Sequence, residues 1–236
     1  MEVHTKLDIQ QAFVVKEQDI IKIWKAFEDN SMKVSATIEC SDELNRDFKD
    51  SESLIKYENP KRAYIKTLQI YAWNKESYKS SSVSLGIRHY APINVSIYGD
   101  ENTVTSTRTK IVDTVDGMKP WYSRIATLDF SFIISFVYLI ILASLYLSGN
   151  HSNTASSSLS FNRALITTII IIAAIGSIIF LHKKLIQFLS KIFPIATFAI
   201  GQGLNRHEYL DKIRWWAIST IVAGIVAQLL RTFFIT

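Results

Sequence analysis

The chain has 236 residues, of which 26 are Lys or Arg and 21 are Asp or Glu, and its formal net charge is +5. Its single cysteine, Cys40, excludes an internal disulfide framework and fits a reducing compartment. Clusters of Lys and Arg beside apolar runs account for the positive charge, so nucleic acid is not an expected partner. Most charged residues precede position 120, whereas the later part contains long uncharged runs, so the two parts suit different solvents.

The first part begins with a helix and a strand that the sequence defines well. Residues 17–28 repeat large apolar side chains at helical spacing. Residues 33–40, KVSATIEC, alternate apolar and polar side chains, which is the pattern of a half-buried strand. A short helix over residues 51–57 is predicted next, and Asn59-Pro60 ends it.

Three further strands are predicted over residues 63–73, 83–89 and 93–98, with connections too short for a parallel crossover. Apolar residues then recur at helical spacing from 104 to 118. Antiparallel strands with helices on one face form an α+β layer, and about 115 residues suffice for an independent core. The sequence therefore predicts an α+β cytosolic domain over residues 1–118, an antiparallel sheet with about three helices.

The second part is predicted to be an α-helical membrane domain over residues 130–236, joined to the first by a juxtamembrane hinge at 119–129. The apolar runs 130–147 and 164–181 approach the length of about 20 residues that crosses the hydrocarbon core of a bilayer. A third run, 215–235, contains one arginine, whose long side chain can reach the interface. Three membrane-spanning helices are therefore expected.

The distribution of basic residues predicts the orientation in the membrane. The loop 148–163 carries one Lys or Arg, whereas residues 182–214 carry six. The positive-inside rule then places the N-terminal domain and residues 182–214 in the cytoplasm. The predicted membrane-interface residues are Trp121, Tyr122, Arg124, Lys183, Lys184, Trp215 and Trp216.

Residues 185–206 are predicted to form an interfacial or re-entrant segment. Apolar and polar side chains alternate in an amphipathic pattern up to Pro194, which breaks or kinks a helix. The alternative is a fourth span, which would carry basic residues to the outer side and polar residues to lipid depth. The residues assigned to the interfacial segment are Phe193, Pro194, Phe198, Gly201, Gly203 and Arg206.

Small residues recur every four positions in the third apolar run, and similar residues occur in the second. Such spacing lets two helices approach closely, and a glutamine in the third run will seek a polar partner within lipid. The predicted helix-packing residues are Ala173, Ser177, Ser219, Ala223, Gly224, Ala227 and Gln228. The pattern fits packing within one copy and assembly of a homo-oligomer equally well.

The sequence contains no recognisable catalytic pattern, and we predict that the protein is not an enzyme and uses no cofactor or metal. The five histidines are scattered and none belongs to an H-E-x-x-H spacing. A G-x-G triplet at 201–203 lacks the third glycine and the preceding strand of a dinucleotide site. His207, Glu208 and Asp211 could share one helix face, for which a solvated polar face is the simpler interpretation.

Three short segments resemble a loose group of uncharacterised bacterial membrane proteins that join a small cytosolic domain to a few C-terminal spans. The segments are Tyr57-Glu58-Asn59-Pro60, Met118-Lys119-Pro120-Trp121-Tyr122 and Phe193-Pro194-x3-Phe198-x-Ile200-Gly201. The resemblance implies an architecture, and it supplies neither an activity nor site residues.

These patterns favour a membrane-anchored, non-enzymatic binding, adaptor or regulatory protein. The expected partners are the lipid bilayer, a cytosolic protein or small ligand, and further copies of the chain. One alternative is an oligomeric pore-forming effector, as in bacterial defence. A weaker alternative is an enzyme that acts on membrane lipids through residues 207–214.

Overall fold

The computed structural model describes residues 2–86, 91–129, 131–132, 135–136, 140, 144 and 182–235. The chain divides into two compact units: Met1–Thr127 together with Ile192–Thr236 form the first, and Leu128–Lys191 form the second. The first unit therefore combines the beginning and the end of the chain.

Six strands of the first unit form one antiparallel sheet in the order β1-β7-β6-β5-β3-β4. The strands are β1 (Glu2–Ile9), β3 (Lys33–Cys40), β4 (Asn45–Phe48), β5 (Ile65–Asn74), β6 (Lys79–Gly86) and β7 (Ile93–Asp100). Strands β5, β6 and β7 pair in chain order, as their short connections predict. The edge strand β1 pairs with β7 along its whole length.

Helices cover one face of this sheet. They are α1 (Glu17–Glu28), α2 (Ser51–Ile55) and α3 (Glu101–Gly117), and a single turn, α4 (Ser123–Ala126), follows them. Helix α1 packs against α3 and β3, and α3 also contacts β7 and β1. On β3, Val34 and Ile38 point into the core while Ser35 and Thr37 remain half-exposed. Alternation within each strand therefore separates a buried face from a wetter one.

Two helices begin at aspartates that the sequence places before them. The Asp100 carboxylate accepts a hydrogen bond from the Thr103 backbone N–H at 3.0 Å, and α3 starts there. Asp50 accepts in the same way from Ser53 at 2.7 Å and caps α2. Each carboxylate satisfies a free N–H and lies at the positive end of the helix dipole.

A second sheet joins the two ends of the chain. Strand β2 (Phe13–Lys16) pairs in parallel with β8 (Ala196–Ala199). Phe198 and Ile200 are 5% and 0% exposed and belong to the same hydrophobic core as the six-stranded sheet. The rings of Phe13 and Phe198 meet edge to face with centroids 5.9 Å apart. The core of the N-terminal domain thus contains side chains from residues 196–200.

This arrangement differs from two predictions. We predicted that the domain ends at residue 118 and that residues 185–206 form an interfacial or re-entrant segment. The structure instead places residues 196–203 within the domain, with Phe198, Ala199, Ile200 and Gly203 buried. The physical reason is that the apolar segment 195–200 can bury its side chains in a protein core as well as in lipid, so hydropathy alone does not distinguish these environments.

The C-terminal part of the first unit is one long helix. Helix α5 covers residues 182–192, most of which belong to the second unit. The long C-terminal helix, α6, extends over Gln202–Ile235. Among the described residues, one helical stretch, Gln202–Thr232, is long and apolar enough to cross a membrane. The most apolar 18 residues of this stretch have a mean hydropathy of 1.5, and 6% of them are buried. Most of the predicted helix 130–147 and all of 164–181 lie outside the described residues.

The predicted N-terminal antiparallel sheet with several helices is confirmed, and so is a long apolar helix at the C-terminus. The helix at 17–28 and the strand at 33–40 have the predicted bounds. Four strands, β1, β2, β4 and β8, were not predicted. Strand β1 is an edge strand partly exposed on both faces, and the others have four residues each, too few to show a period.

Candidate functional site

The strongest candidate for a functional site in the first unit is the place where its linker segments meet. Three segments take part: residues 119–127, residues 192–203 and the first turns of α6, residues 204–216. We call this region the junction. Its polar centre is the side chain of Arg214, which is 0% exposed.

Arg214 contacts all three segments of the junction. Its guanidinium lies 4.2 Å from the ring centroid of Tyr122, within cation–π distance. Its Nε donates a hydrogen bond to the backbone carbonyl of Ile192 at 2.6 Å. Its Nη1 donates to the carboxylate of Asp211 at 3.2 Å, which balances the buried charge. One side chain therefore ties the segment before residue 128, the segment after 191 and the start of α6.

Tyr122 is the second buried polar side chain of the junction, at 0% exposure. Its ring packs 5.9 Å from the ring of Phe193 and 5.6 Å from that of Trp121. Burial raises the pKa of Tyr122, and the neighbouring positive charge of Arg214 opposes that rise. The Tyr122 hydroxyl and Arg214 Nη2 make no hydrogen bond within the described part of the chain. Buried donors of this kind make a contact sensitive to small displacements.

Tryptophans surround the junction on its exposed side. The rings of Trp121 and Trp215 lie 5.4 Å apart, and Trp121 Nε1 donates to Asp211 at 3.4 Å. Trp215 and Trp216 are 55% and 71% exposed. Exposed tryptophans at the base of an apolar helix are typical of the headgroup level of a bilayer.

Asn59 fixes β8 to the rest of the domain. Its Nδ2 donates to the carbonyl of Phe198 at 2.9 Å, and its Oδ1 accepts from the N–H of Ile65 at 2.9 Å. Asn59 is 1% exposed and has a φ of +47°, a conformation that asparagine tolerates better than most residues. The neighbouring carbonyl of Glu58 accepts from the N–H of Gln202 at 2.8 Å.

Two glycines allow this close approach. A Cβ on Gly201, whose φ is +49°, would lie 2.6 Å from the carbonyl oxygen of Glu58. A Cβ on Gly203 would lie 2.2 Å from the carbonyl oxygen of Phe198 and 2.4 Å from Asn59 Nδ2. The G-x-G triplet is therefore required by backbone packing between β8 and residues 58–59.

The linker after α3 is held against β2 by further hydrogen bonds. The N–H of Ala12 donates to the hydroxyl of Ser123 at 3.0 Å, and the N–H of Val14 donates to the carbonyl of Met118 at 2.9 Å. Gln11, which is 7% exposed, donates through its side-chain amide to the carbonyl of Val115 at 3.0 Å. Val115, Met118 and Ser123 are thus hydrogen-bonded to residues 11–14.

The structure brings together many of the residues predicted from sequence. Those within the junction are Trp121, Tyr122, Arg124, Phe193, Pro194, Phe198, Gly201, Gly203, Arg206, Trp215 and Trp216. Pro194 and Arg206 are half-buried, and Arg124 is exposed. Lys183 and Lys184 are exposed in the second unit.

The predicted helix-packing residues of α6 are exposed. Ser219, Ala223, Gly224, Ala227 and Gln228 are each exposed, and a Cβ on Gly224 would meet nothing within 4 Å. The other two, Ala173 and Ser177, lie outside the described residues. Whether the exposed stripe packs against another helix stays a prediction.

Sequence reasoning assigned no role to Arg214 or Asn59 as individual residues. In the sequence, Arg214 was only one of the six basic residues at 182–214. It is, however, the one that directly precedes two tryptophans. Asn59 counted as a helix stop. Of the weaker catalytic set, Asp211 binds Arg214 and Trp121, while His207 is half-buried. The described residues contain no group of three His, Cys, Asp or Glu side chains that could hold a metal.

No family model, curated protein or solved structure matches this chain. The resemblance to uncharacterised bacterial membrane proteins therefore stays a prediction. The contacts of the junction are of the kind that hold segments in fixed positions. They comprise a buried charge, aromatic contacts and backbone hydrogen bonds.

Proposed function

We propose that this protein is a membrane-anchored binding protein of the adaptor or regulatory class, whose α+β domain recognises a cytosolic protein or small ligand. One observation carries the proposal. The apolar helix α6 is joined to the domain core through β8 and Arg214, so the recognition module and the anchor form one connected structure.

The connection between β8 and α6 is short. Only Ile200 and Gly201 separate the end of β8 from the start of α6. Ile200 is 0% exposed, and Gly201 is in contact with Glu58. A displacement of β2 relative to β8 would therefore be transmitted to α6 with little flexible chain to absorb it. With this geometry, binding of a partner to the domain can change the position of α6 in the membrane.

The membrane assignment rests on α6 and on the charge pattern. The helix is exposed along its apolar part, with Ile221 and Val222 at 63% and 53%, and such side chains favour lipid over water. The excess of basic residues at 182–214 supports a cytoplasmic domain, and the resemblance to bacterial membrane proteins leads us to assign it to a bacterial inner membrane.

The wetter face of the six-stranded sheet is the surface we assign to recognition. The cross-strand pair Ser82 and Ser96 and the neighbouring Tyr71 are half-exposed or exposed there. Helices α1 and α3 pack against the opposite face. Hydroxyl and aromatic side chains on a regular sheet can offer hydrogen bonds and flat contact area to a partner.

Crosslinking in native membranes tests this proposal. Wild-type protein should yield a specific cytosolic partner, and Ser82→Arg should abolish its recovery because a large charge then projects from the recognition face. The matched control is Thr105→Arg on the exposed side of α3. Equal recovery with both variants would refute the assigned face. Release of the protein from membranes by an alkaline wash would refute the anchor.

A second candidate function is an oligomeric pore, favoured by the exposed stripe of small residues on α6. Ser219, Ala223 and Ala227 leave room for a second helix at close distance, and Gln228 offers a hydrogen bond across it. Liposomes that contain the purified protein should then release dye, and Gly224→Leu should block release while Val222→Leu does not. Absence of release from wild-type liposomes would contradict a pore.

A further inference from the structure

The end of the recognition face far from the junction contains a groove. It has a volume of about 760 Å³ and lies between the β5–β6 hairpin and the first residue of β1. Its lining includes Glu2, Asn74, Lys75, Tyr78, Lys79 and Tyr98. Ligand sites for small molecules typically measure about 300–1,000 Å³ and combine aromatic walls with a few charged groups. The groove therefore has the volume of such a site, and its lining combines two tyrosines with polar and charged side chains.

The hairpin holds an aromatic side chain at the edge of this groove at a conformational cost. Tyr78 has a φ of +49° and is 76% exposed. A left-handed conformation is uncommon for a bulky residue and usually belongs to glycine or asparagine. The turn is held by Asn74, whose Oδ1 accepts from the N–H groups of Glu76 and Ser77 at 2.9 and 3.2 Å. The conformation of Tyr78 therefore raises the question of what this exposed aromatic residue contacts.

The two lysines of the groove differ in their partners. Lys79 Nζ is held by the carboxylate of Asp100 at 2.5 Å and by the Thr103 hydroxyl at 2.8 Å. Lys75 is exposed and makes no ion pair with any described residue. An ammonium at the edge of an aromatic groove attracts phosphate. Lys75 is thus available to an anionic group of a ligand.

A carboxylate lies among these groups. The Tyr98 hydroxyl donates to Glu2 Oε2 at 2.5 Å, which holds the carboxylate at the groove. A fixed carboxylate accepts hydrogen bonds from the hydroxyls of a sugar, as acidic residues do with ribose in dinucleotide sites. Aromatic rings, a free ammonium and an acceptor for hydroxyls are the three recognition elements that a base, a phosphate and a ribose require.

We propose that this groove binds a nucleotide. The base stacks on Tyr78 or Tyr98, the ribose hydroxyls donate to Glu2, and the phosphate pairs with Lys75. This inference rests on the proposed function, because the nucleotide would be the small ligand that the recognition domain binds. Strand β1 has eight residues from Glu2 to Ile9 and extends about 25 Å toward β2, so the groove and the junction are joined by a continuous strand and a short connection.

Titration calorimetry of ATP, GTP, CTP and UTP into the full-length protein in detergent tests the proposal. The affinity tag belongs at the C-terminus because Glu2 lines the groove. We expect saturable binding of at least one nucleotide, and about tenfold weaker binding after Tyr78→Ala or Lys75→Gln. The matched controls are Tyr64→Ala and Lys66→Gln, exposed residues near the opposite end of β5, which should leave the affinity unchanged.

Three outcomes would overturn the inference. They are no binding of any of the four nucleotides, equal weakening by the groove variants and their controls, and equal affinity for inorganic tripolyphosphate, which lacks base and ribose. Extraction of membranes at alkaline pH tests the anchor separately. A protein that remains in the membrane and binds no nucleotide refutes the inference alone, and a protein that is released and still binds refutes the proposed anchor alone.

Discussion

At the scale of single residues, Arg214 is a buried charged side chain that holds the segments of the junction together. A buried guanidinium is costly unless its charge and its donors are satisfied. Here Asp211 supplies the charge, Ile192 a carbonyl and Tyr122 an aromatic face. The planar guanidinium can contact all three at once, which a lysine ammonium cannot do.

We therefore predict that Arg214→Ala destabilises the first unit by about 3–5 kcal/mol, the cost of breaking a buried charge pair. Arg214→Lys should recover only a minor part of that loss. Chemical denaturation in detergent, followed by near-UV circular dichroism, measures both values. Lys212→Ala, two positions away and exposed, is the control. If both alanine variants have the same stability, Arg214 does not hold the junction together.

Asp100 gives a prediction for pH at the same scale. The ammonium of Lys79, together with the backbone and hydroxyl of Thr103, holds the pKa of Asp100 well below its usual range. Because the folded-state pKa is depressed, this contribution to stability is present above the unfolded pKa of about 3.9 and is lost as the pH falls below it.

Asp100→Asn should therefore flatten the dependence of stability on pH below about 4. Asparagine can still cap α3, so the substitution removes the charge and keeps the cap. The measurement is the unfolding temperature between neutral and acidic pH. Asp113→Asn, on the exposed side of the same helix, is expected to keep the wild-type slope. A wild-type slope for both variants would exclude a role for the Lys79–Asp100 pair.

At the scale of elements, the close packing of α6 on β8 depends on glycine, which has no side chain. Gly203 lies in contact with both Phe198 and Asn59, so the first turn of α6 packs directly on the strand before it. Gly117, at the end of α3, has nothing within 4 Å of its potential Cβ. The two glycines form a natural comparison between a packed position and an open one.

Gly203→Ala should displace β8 and lower the stability of the first unit by about 1–3 kcal/mol, as overpacking usually does. Gly117→Ala should change the stability by less than about 1 kcal/mol, with a small gain in helix propensity. Chemical denaturation of the two variants, with their free energies of unfolding compared, tests this prediction. Equal stability would mean that residues 201–203 do not pack against the domain, in agreement with the interfacial segment predicted from sequence.

At the scale of the whole molecule, the first unit is made of two stretches that are distant in sequence. Tyr122 and Phe193, which flank the stretch 128–191 in the sequence, are in ring contact within this unit. Removal of that stretch should leave the packing of the first unit intact, whereas truncation after residue 118 removes β8 and the contacts of Phe198 and Ile200.

We predict that a variant with residues 128–191 replaced by a Gly-Ser linker retains the domain fold, and that a chain ending at Met118 does not. Loss of Phe198 alone should cost about 3–5 kcal/mol, a large part of the stability of a small domain. Resistance to limited proteolysis in detergent measures the difference. A stable, protease-resistant 1–118 fragment would contradict the role of β8 in the core.

The sequence by itself determined the elements whose patterns are long enough to be read. Helix α1, with twelve residues, and β3, with eight, show their periods without tertiary information. Composition likewise predicted the apolar C-terminal helix, because its length and hydropathy are local properties.

Only the tertiary structure decided where residues 193–216 belong. An apolar segment such as 195–200 gains a similar free energy from burial in lipid or in a protein core, so its environment depends on which partner surface is available. That partner is β2, about 180 residues earlier in the chain, and the parallel pairing of four residues leaves no local signal. For the same reason Arg214 could not be told apart from a solvated basic residue until Tyr122, Ile192 and Asp211 were placed around it.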